Sequence, residues 1–404
     1  MRIAHLTITF LPTVGGAQSV VHMLALKQHK LGHKVTVVTP WNSCQAVKRL
    51  VPYTMRPLIP LGHRLSWKSA YSRLAREVLK RQLRREQMHA QFDVWHVHEP
   101  YPSASLLLAA LGGGPGTVLT CHNADIMEPA TWTRDARKSE AIAQTTRHTL
   151  QTADVVTALS ESMLQKYLEL GVQRSNACLI GNAIDSTRFD AVPMSDAQLR
   201  DQWGVSPERR ILLTVGRNVP VKGYHVIPSV INELESIRND VTWVIVGDGS
   251  DRVAHGTQGQ GCRILPLPPI SAAGSDFAAG RLPPDTLVNL QKFSDLYVST
   301  SQMESFGCVL LEAMASGVPI VAADAPGVSE LIRESGSGRV VPQGDPRAMA
   351  VAIDQLLCNP TECQALGEHG KAAAASRDWQ TAVAAYMRAY EDAREAVACR
   401  GASH

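Results

Sequence analysis

Short apolar runs bounded by polar or glycine-bearing segments recur along the whole 404-residue chain. In the first half they fall at residues 3–10, 34–39, 94–98, 117–121, 155–159 and 178–181; in the second they fall at 211–215, 242–246, 263–266, 296–299 and 319–322. Runs of this length match buried strands, and most of the intervals between them place apolar residues at helical spacing. Strands alternating with helices predict parallel sheets, and parallel sheets need helices on both faces. The fold class is therefore α/β, with doubly wound sheets. At roughly 150 residues per domain the length allows two or three units. The stretch 186–210, polar and proline-bearing with room for one short helix, separates a first domain (1–190) from a second (191–376), and 377–404 reads as a terminal helix with a short tail.

Chemistry concentrates in the second half. In ESFGCVLLEAMASGVP, a loop after the 296–299 strand leads into an apolar helix that opens at Gly307 and stops at Gly317, with Pro319 beyond. The first amides of that helix, on Gly307, Cys308 and Val309, have no acceptor within the helix and carry the positive end of its dipole, so an anion can sit there. Glu304 and Glu312 bracket this cradle, and each carboxylate can take a pair of hydroxyls, one pair from a sugar and one from a ribose. The plain alternative is a solvated loop glutamate and an ordinary helix glutamate. The segment ILLTVGRNVPVKG repeats the strand, glycine, loop grammar, with Arg217 after Gly216 and Lys222 before Gly223. A planar donor fork beside a compact point charge suits a diphosphate, and the C-terminal end of a strand is where open α/β sheets bind ligands.

The glutamate pair, the GR...KG segment, the VGDG turn at 246–249 and the N-terminal PTVGGAQ together resemble the retaining glycosyltransferases of the large "group 1", family 4-like class with the GT-B fold. The likeness covers nearly the whole chain, and 304–319 is its most specific part. It implies two Rossmann-like domains facing across a cleft, the first on the acceptor side, the second binding the nucleotide sugar, with the terminal helix crossing back to the first. It further implies an amide cradle at Gly15 and Gly16, a sugar-contacting His122 in TCHNAD, and a turn at 182–185. Arg217, Lys222, Glu304 and His122 then take catalytic roles. Gly216, Gly247, Ser305, Phe306, Gly307, Cys308, Val309 and Glu312 would help bind the donor, a UDP- or GDP-linked sugar. The implied reaction is transfer with retention to a glycan or lipid-linked acceptor, the leaving phosphate taking the acceptor proton, with no cofactor. The chain contains no Asp-x-Asp sequence, and fixed cations can supply the charge neutralisation a metal supplies elsewhere. Departures fall at 250–261 and 267–284, rich in glycine, glutamine and proline where relatives read part of the donor, and at Ala183, where glycine is common. For His122 the alternative is a core or loop histidine.

His96 and His98 alternate on a strand end. Two ligands without a third argue weakly for metal, and the pair reads as cleft wall with acceptor contact. The formal charge of +3 gives no whole-molecule case for nucleic acid. Eight scattered cysteines without ligand spacing read as reduced thiols of a cytoplasmic protein. No apolar run reaches the ~18 residues of a membrane span. Yet 64–86 holds eight cations against Glu77 and Glu86, leaving the rest of the chain slightly acidic. With Trp67, Tyr71, Leu74 and Val78 at helical spacing, it reads either as a solvated helix facing the core or as a patch for an anionic membrane's inner face. Other readings remain open from the residues: a sugar-nucleotide epimerase or phosphorylase on the same fold, or a non-catalytic nucleotide binder. A dehydrogenase fits poorly, because the glycine run at 111–116 precedes a strand and lacks the G-x-G-x-x-G spacing.

Overall fold

The computed structural model describes residues 1–12, 15–58, 73–122, 136–190, 194–253, 261–272 and 274–402. They form two compact units. The first comprises residues 1–182, 274–280 and 379–404, and the second 183–273 and 281–378.

The first unit holds a seven-stranded sheet of β1 (Arg2–Leu6), β2 (Lys34–Pro40), β3 (Thr54–Leu58), β4 (Val94–Val97), β5 (Gly116–Thr120), β6 (Val155–Ala158) and β7 (Ala177–Leu179), in the order β3-β2-β1-β4-β5-β6-β7. The second holds β8 (Arg210–Val215), β9 (Val241–Val246), β10 (Arg263–Leu267), β11 (Leu296–Ser299), β12 (Ile320–Ala323) and β13 (Gly338–Val341), ordered β10-β9-β8-β11-β12-β13. Every neighbouring pair is parallel. In each sheet the strand order reverses once, between β1 and β4 and between β8 and β11. These reversals are the places where an open α/β sheet leaves a crevice beyond its strand ends.

All the expected strands are present, but β1 stops at Leu6, where the chain turns and brings the Thr7 hydroxyl within 2.8 Å of Thr9 O. Two strands escaped the hydrophobic pattern, β3 and β13. Both are sheet edges, β3 with a proline and exposed alternate residues and β13 with only Val341 fully buried, and an edge demands less apolar character than a central strand. The core of the second unit shows why its centre was legible. Helices Ile227–Glu235 and Pro346–Leu357 bury Ile227, Val230, Ile231, Leu234, Ile353 and Leu356 against β8, β9 and β11, each such side chain contributing about 1.5–3 kcal/mol.

Helix Trp379–Ala402 belongs to the first unit and lies on β5, so close that a Cβ on Gly116 would meet Ala393 C at 3.0 Å. Residues 274–280 also belong there, although the sequence boundaries place them in the second domain. Their anchor is the buried His22, whose Nε2 bonds Phe277 O at 2.8 Å.

Candidate active site

The second unit gathers its site at the β8/β11 reversal. Two glycines make the approach. Gly216 (φ 155°) and Gly247 (φ 146°) end neighbouring strands, and a Cβ on Gly247 would fall 2.0 Å from Gly216 O. Asn218 N donates to Asp248 O at 2.8 Å, tying the loop that carries Arg217 to the VGDG turn. Gly223 (φ 66°) allows equally close contact with the chain after β11, since its Cβ would meet Thr300 O at 2.0 Å. Thr300 Oγ1 donates to Lys222 O at 2.8 Å and Gln302 N to Val221 O at 2.7 Å. The loop after β8 is thus stitched to the loop after β11.

The consequence is a direct meeting of two expected site residues. Lys222 Nζ lies 2.5 Å from Glu304 Oε1, and Ser301 Oγ donates to the same oxygen at 2.8 Å. The two charged side chains are only 24% and 18% exposed, so the pair is less screened than a surface ion pair worth ~0–1 kcal/mol. Glu304 N bonds Pro326 O at 3.0 Å, and a Cβ on Gly327 would fall 2.0 Å from Glu304 O, so the backbone beneath the carboxylate is held on both sides. Arg217 is exposed at the mouth of the loop.

Ser305 and Phe306 are buried, and the helix runs from Cys308 to Ser316 with Gly307 as its left-handed N-cap, one residue later than expected. A glycine cap brings no side chain. The Gly307 carbonyl takes the amides of Leu310 and Leu311, leaving Cys308 and Val309 in the first turn at the positive end of the dipole. Glu312 stands one turn further in. It receives Gln291 Nε2 at 2.9 Å and keeps part of its surface in water, yet desolvation pushes its pKa up to about 7. Tyr224 is buried with its hydroxyl unbonded among the described residues, and that oxygen would lie 3.0 Å from a Cβ on Gly216. Burial, then the charge of Glu304, push the phenol upward. Gln291, Ser301 and Tyr224 were missed by sequence reasoning. Only Ser301, beside the glutamate motif, carried a usable signal.

In the first unit, Gly15 is the extended N-cap of helix Gly16–Lys30, which has no side-chain cap; residues 13 and 14 of that loop lie outside the described residues. Beside the loop is Glu99, another residue that sequence reasoning missed. It accepts from Thr7 Oγ1 (2.7 Å), Ser103 Oγ (3.0 Å) and Ile8 N (3.1 Å), and burial raises its pKa to about 7 against the opposing effect of those bonds. His122 follows β5 and bonds His98 at 2.9 Å. His96 and His98 do not form a wall. They are 0% and 1% exposed: His96 on β4 turns inward beneath helix Trp379–Ala402, and His98, just past the strand, lies between His5 and His122, so the expected acceptor contact is corrected to an interior role. His5 on β1 supplies the third histidine absent from the local motif, and ligand atoms of His5, His96 and His98 lie within 4.8 Å of one another. Their ring nitrogens are already hydrogen-bonded, to one another and to Gln28, Tyr390, Thr120 and His122. A metal would have to displace those bonds.

The basic helix is real from Arg73 to Ala90, while 64–72, with Trp67 and Tyr71, lies outside the described residues. Among its described side chains the buried ones are Ala75, Leu79 and Leu83, and Val78 is only partly covered. Arg76, Arg81 and Arg85 are exposed, and Arg84 Nε donates to Ala110 O at 2.7 Å.

The fold is that of known sugar-transferring enzymes. The Anabaena protein HepE, solved with UDP and glucose, superposes with a TM-score of 0.75 over 96% of this chain and 98% of its own, at 20% identity. The two parallel sheets have the GT-B fold, and the family models that match the chain are those of glycosyltransferases, enzymes that use a nucleotide sugar. Models of "Glycosyltransferase Family 4" and "Glycosyl transferases group 1" match residues 14–188 and 276–373. The chain belongs to this family 4, group 1 class of glycosyltransferases. Among curated relatives, the phosphatidyl-myo-inositol mannosyltransferase of Mycobacterium tuberculosis is 27% identical over 97% of both chains. The N-acetyl-alpha-D-glucosaminyl L-malate synthase of Bacillus anthracis is 26% identical over 90% of both. Membership sets aside the dehydrogenase, epimerase and non-catalytic readings.

Proposed function

We propose that this enzyme moves a hexosyl group, with retention, from a UDP- or GDP-linked sugar to a glycan or lipid-linked acceptor, and that it does so without a metal. The observation that carries the reading is the Lys222–Glu304 pair at the β8/β11 reversal, beside a helix start with no side-chain cap. A bound diphosphate competes for the lysine. Lys222 and Arg217 neutralise charge growing on the leaving phosphate, the helix amides at Cys308 and Val309 assist, and Glu304, released from Lys222, accepts sugar hydroxyls. The acceptor oxygen forms the new bond to the anomeric carbon as the bond to phosphate breaks, and the acceptor proton passes to the departing phosphate oxygen. Glu312 takes the ribose hydroxyls, His122 a hydroxyl of the sugar, and the Gly15–Gly16 helix start lies with the donor.

Two of the relatives are named for two kinds of acceptor, a phosphatidylinositol and a malate. The exposed cationic face of helix Arg73–Ala90 favours the lipid-linked kind and a peripheral place on an anionic membrane. No helix among the described residues is long and apolar enough to cross one.

Titration with free UDP and GDP tests the assignment. Glu304→Gln should leave nucleotide affinity nearly intact while impairing transfer, and Glu312→Gln should weaken it by about 1–3 kcal/mol, the scale of a buried hydrogen bond. Equal affinity in wild type and both variants would remove these roles. Activity should survive EDTA; loss restored by magnesium or manganese would refute the metal-free reading.

A further inference from the structure

At the end of β8 lie two buried phenols, Tyr297 and Tyr224. Tyr297, on β11, engages the last residue of the strand. Val215 N donates to its hydroxyl at 3.3 Å, and that hydroxyl lies 3.4 Å from Val215 O. Tyr224 reaches the next residue, Gly216, from the turn after Lys222. It is 3% exposed, and its hydroxyl has no hydrogen-bond partner among the described residues. Packing aims that hydroxyl: the ring belongs to the core of the second unit, in one cluster with Leu212, Ile227 and Val298, and Gly223 before it is held against Thr300 O.

Gly216 does not supply the missing partner. Its amide donates to Val246 O at 2.9 Å, and its carbonyl oxygen lies against Gly247, whose Cβ would fall 2.0 Å away. The phenol lies instead on the side-chain face of Gly216. A Cβ built there would meet Tyr224 Oη at 3.0 Å, Lys222 Cε at 3.6 Å and Lys222 Cδ at 3.9 Å. The phenol oxygen and the lysine stem therefore border one small space, and Glu304 holds the far end of that stem.

Burial, and then the charge of Glu304, push the phenol's pKa upward, so it keeps its proton and can donate. A buried hydroxyl without a partner is uncommon, and an oxygen that only accepts, such as that of a phosphate, would complete this one. The neighbours choose among the oxygens of a nucleotide sugar. Arg217 follows Gly216 directly and Lys222 borders the same space, and these are the two cations given to the diphosphate. Glu304 and Glu312, as carboxylates, call for hydroxyls that donate.

We propose that Tyr224 is a further binding residue for the donor: when the diphosphate draws Lys222 from Glu304, the lysine stem leaves the side-chain face of Gly216 and the Tyr224 hydroxyl donates to a diphosphate oxygen arriving there. This rests on the assignment of the diphosphate to Arg217 and Lys222 above. A hydroxyl on a ring fixed in the core adds direction to the point charge of the lysine.

Tyr224→Phe removes one oxygen atom and keeps the ring in the core. With no partner to lose, the free variant should melt no lower than the wild type, whereas a hydroxyl with a structural role would cost stability on removal. Calorimetric titration with UDP and GDP then reads the bond. The nucleotide that binds the wild type should bind the variant about tenfold or more weakly, the scale of a hydrogen bond to a charged group, and its nucleoside, followed by competition, equally well. Equal nucleotide affinity in the two proteins overturns the proposal, as does a loss shared equally by the nucleoside. A lower melting temperature in the free variant reveals a partner within the protein and overturns it too. A wild type that binds neither UDP nor GDP is a different failure, since it removes the donor reading itself and the proposal with it.

Discussion

Glu312 offers a sharp test, because its environment and its proposed task oppose each other. Desolvation raises its pKa from 4.5 to about 7, against the hydrogen bond from Gln291, which lowers it. At about 1.4 kcal/mol per pH unit the rise corresponds to about 3 kcal/mol, and the part of the side chain that meets water reduces this to about 2. The folded state holds this proton more tightly than the unfolded chain between pH 4.5 and 7. The contribution to stability is therefore fully present below about 4.5 and lost as pH rises through about 7. Glu312→Gln carries no such dependence, so its stability relative to wild type should grow by about 2 kcal/mol between pH 4.5 and 8, measured by denaturant melts of the two proteins side by side. Binding should move the other way. A ribose hydroxyl donates best to the ionised carboxylate, which is about 90% populated at pH 8 and about 10% at pH 6, so UDP affinity of the wild type should fall roughly ninefold across that range. The nucleotide's own titration is common to both proteins, and the ratio of wild type to Glu312→Gln isolates the glutamate. A stability difference and an affinity ratio that both ignore pH would refute the reasoning.

Replacing Arg217 or Lys222 with alanine should cost about 10²- to 10³-fold in turnover, the scale of losing one donor to developing charge, and steady-state kinetics with saturating donor will show whether kcat carries the loss. Gly247→Ala must place a Cβ 2.0 Å from Gly216 O at φ 146°, so it should lower the melting temperature and abolish the nucleotide-induced rise; an unchanged melt would show that the two loops separate freely. Because helix Arg73–Ala90 already buries Ala75, Leu79 and Leu83, its described part should adsorb to membranes by charge and not by insertion. Vesicle co-sedimentation should rise with anionic lipid and fall with salt, each basic residue being worth about 1 kcal/mol within a screening length of about 10 Å. Arg76, Arg81 and Arg85 changed together to glutamine should weaken it, Arg84 being spared because it bonds Ala110 O. Binding indifferent to lipid charge would leave the helix a solvated face.

What the sequence disclosed and what it withheld follow from the range of the interactions involved. The central strands were legible because each is a continuous apolar run, and the glutamate helix because glycine, periodicity and proline lie within a dozen residues. The pairing of Lys222 with Glu304 spans 82 positions, yet both ends were marked by local glycine grammar, so each could be picked out before its partner was known. His5 had no such marker. It sits in an ordinary first strand, 93 positions from His98, and becomes part of a chemical group only because β1, first in sequence, lies beside β4 at the point where the strand order reverses. The i, i+2 spacing of His96 and His98 showed that they share a face but not which face. Helix Trp379–Ala402, nearly 300 positions away, decides that by covering His96 with Tyr386 and Tyr390. Gln291 and Tyr224 were silent for the same reason, since a glutamine in a helix and a tyrosine after a glycine acquire meaning from Glu312 and Glu304 alone. Donor-binding motifs in this fold are local because a loop and a helix start make them; the groups that tune those motifs are non-local because the sheet makes them. Mutational scans guided by motif would accordingly reach Arg217, Lys222, Glu304 and Glu312 and pass over Gln291, which bonds Glu312 from another helix.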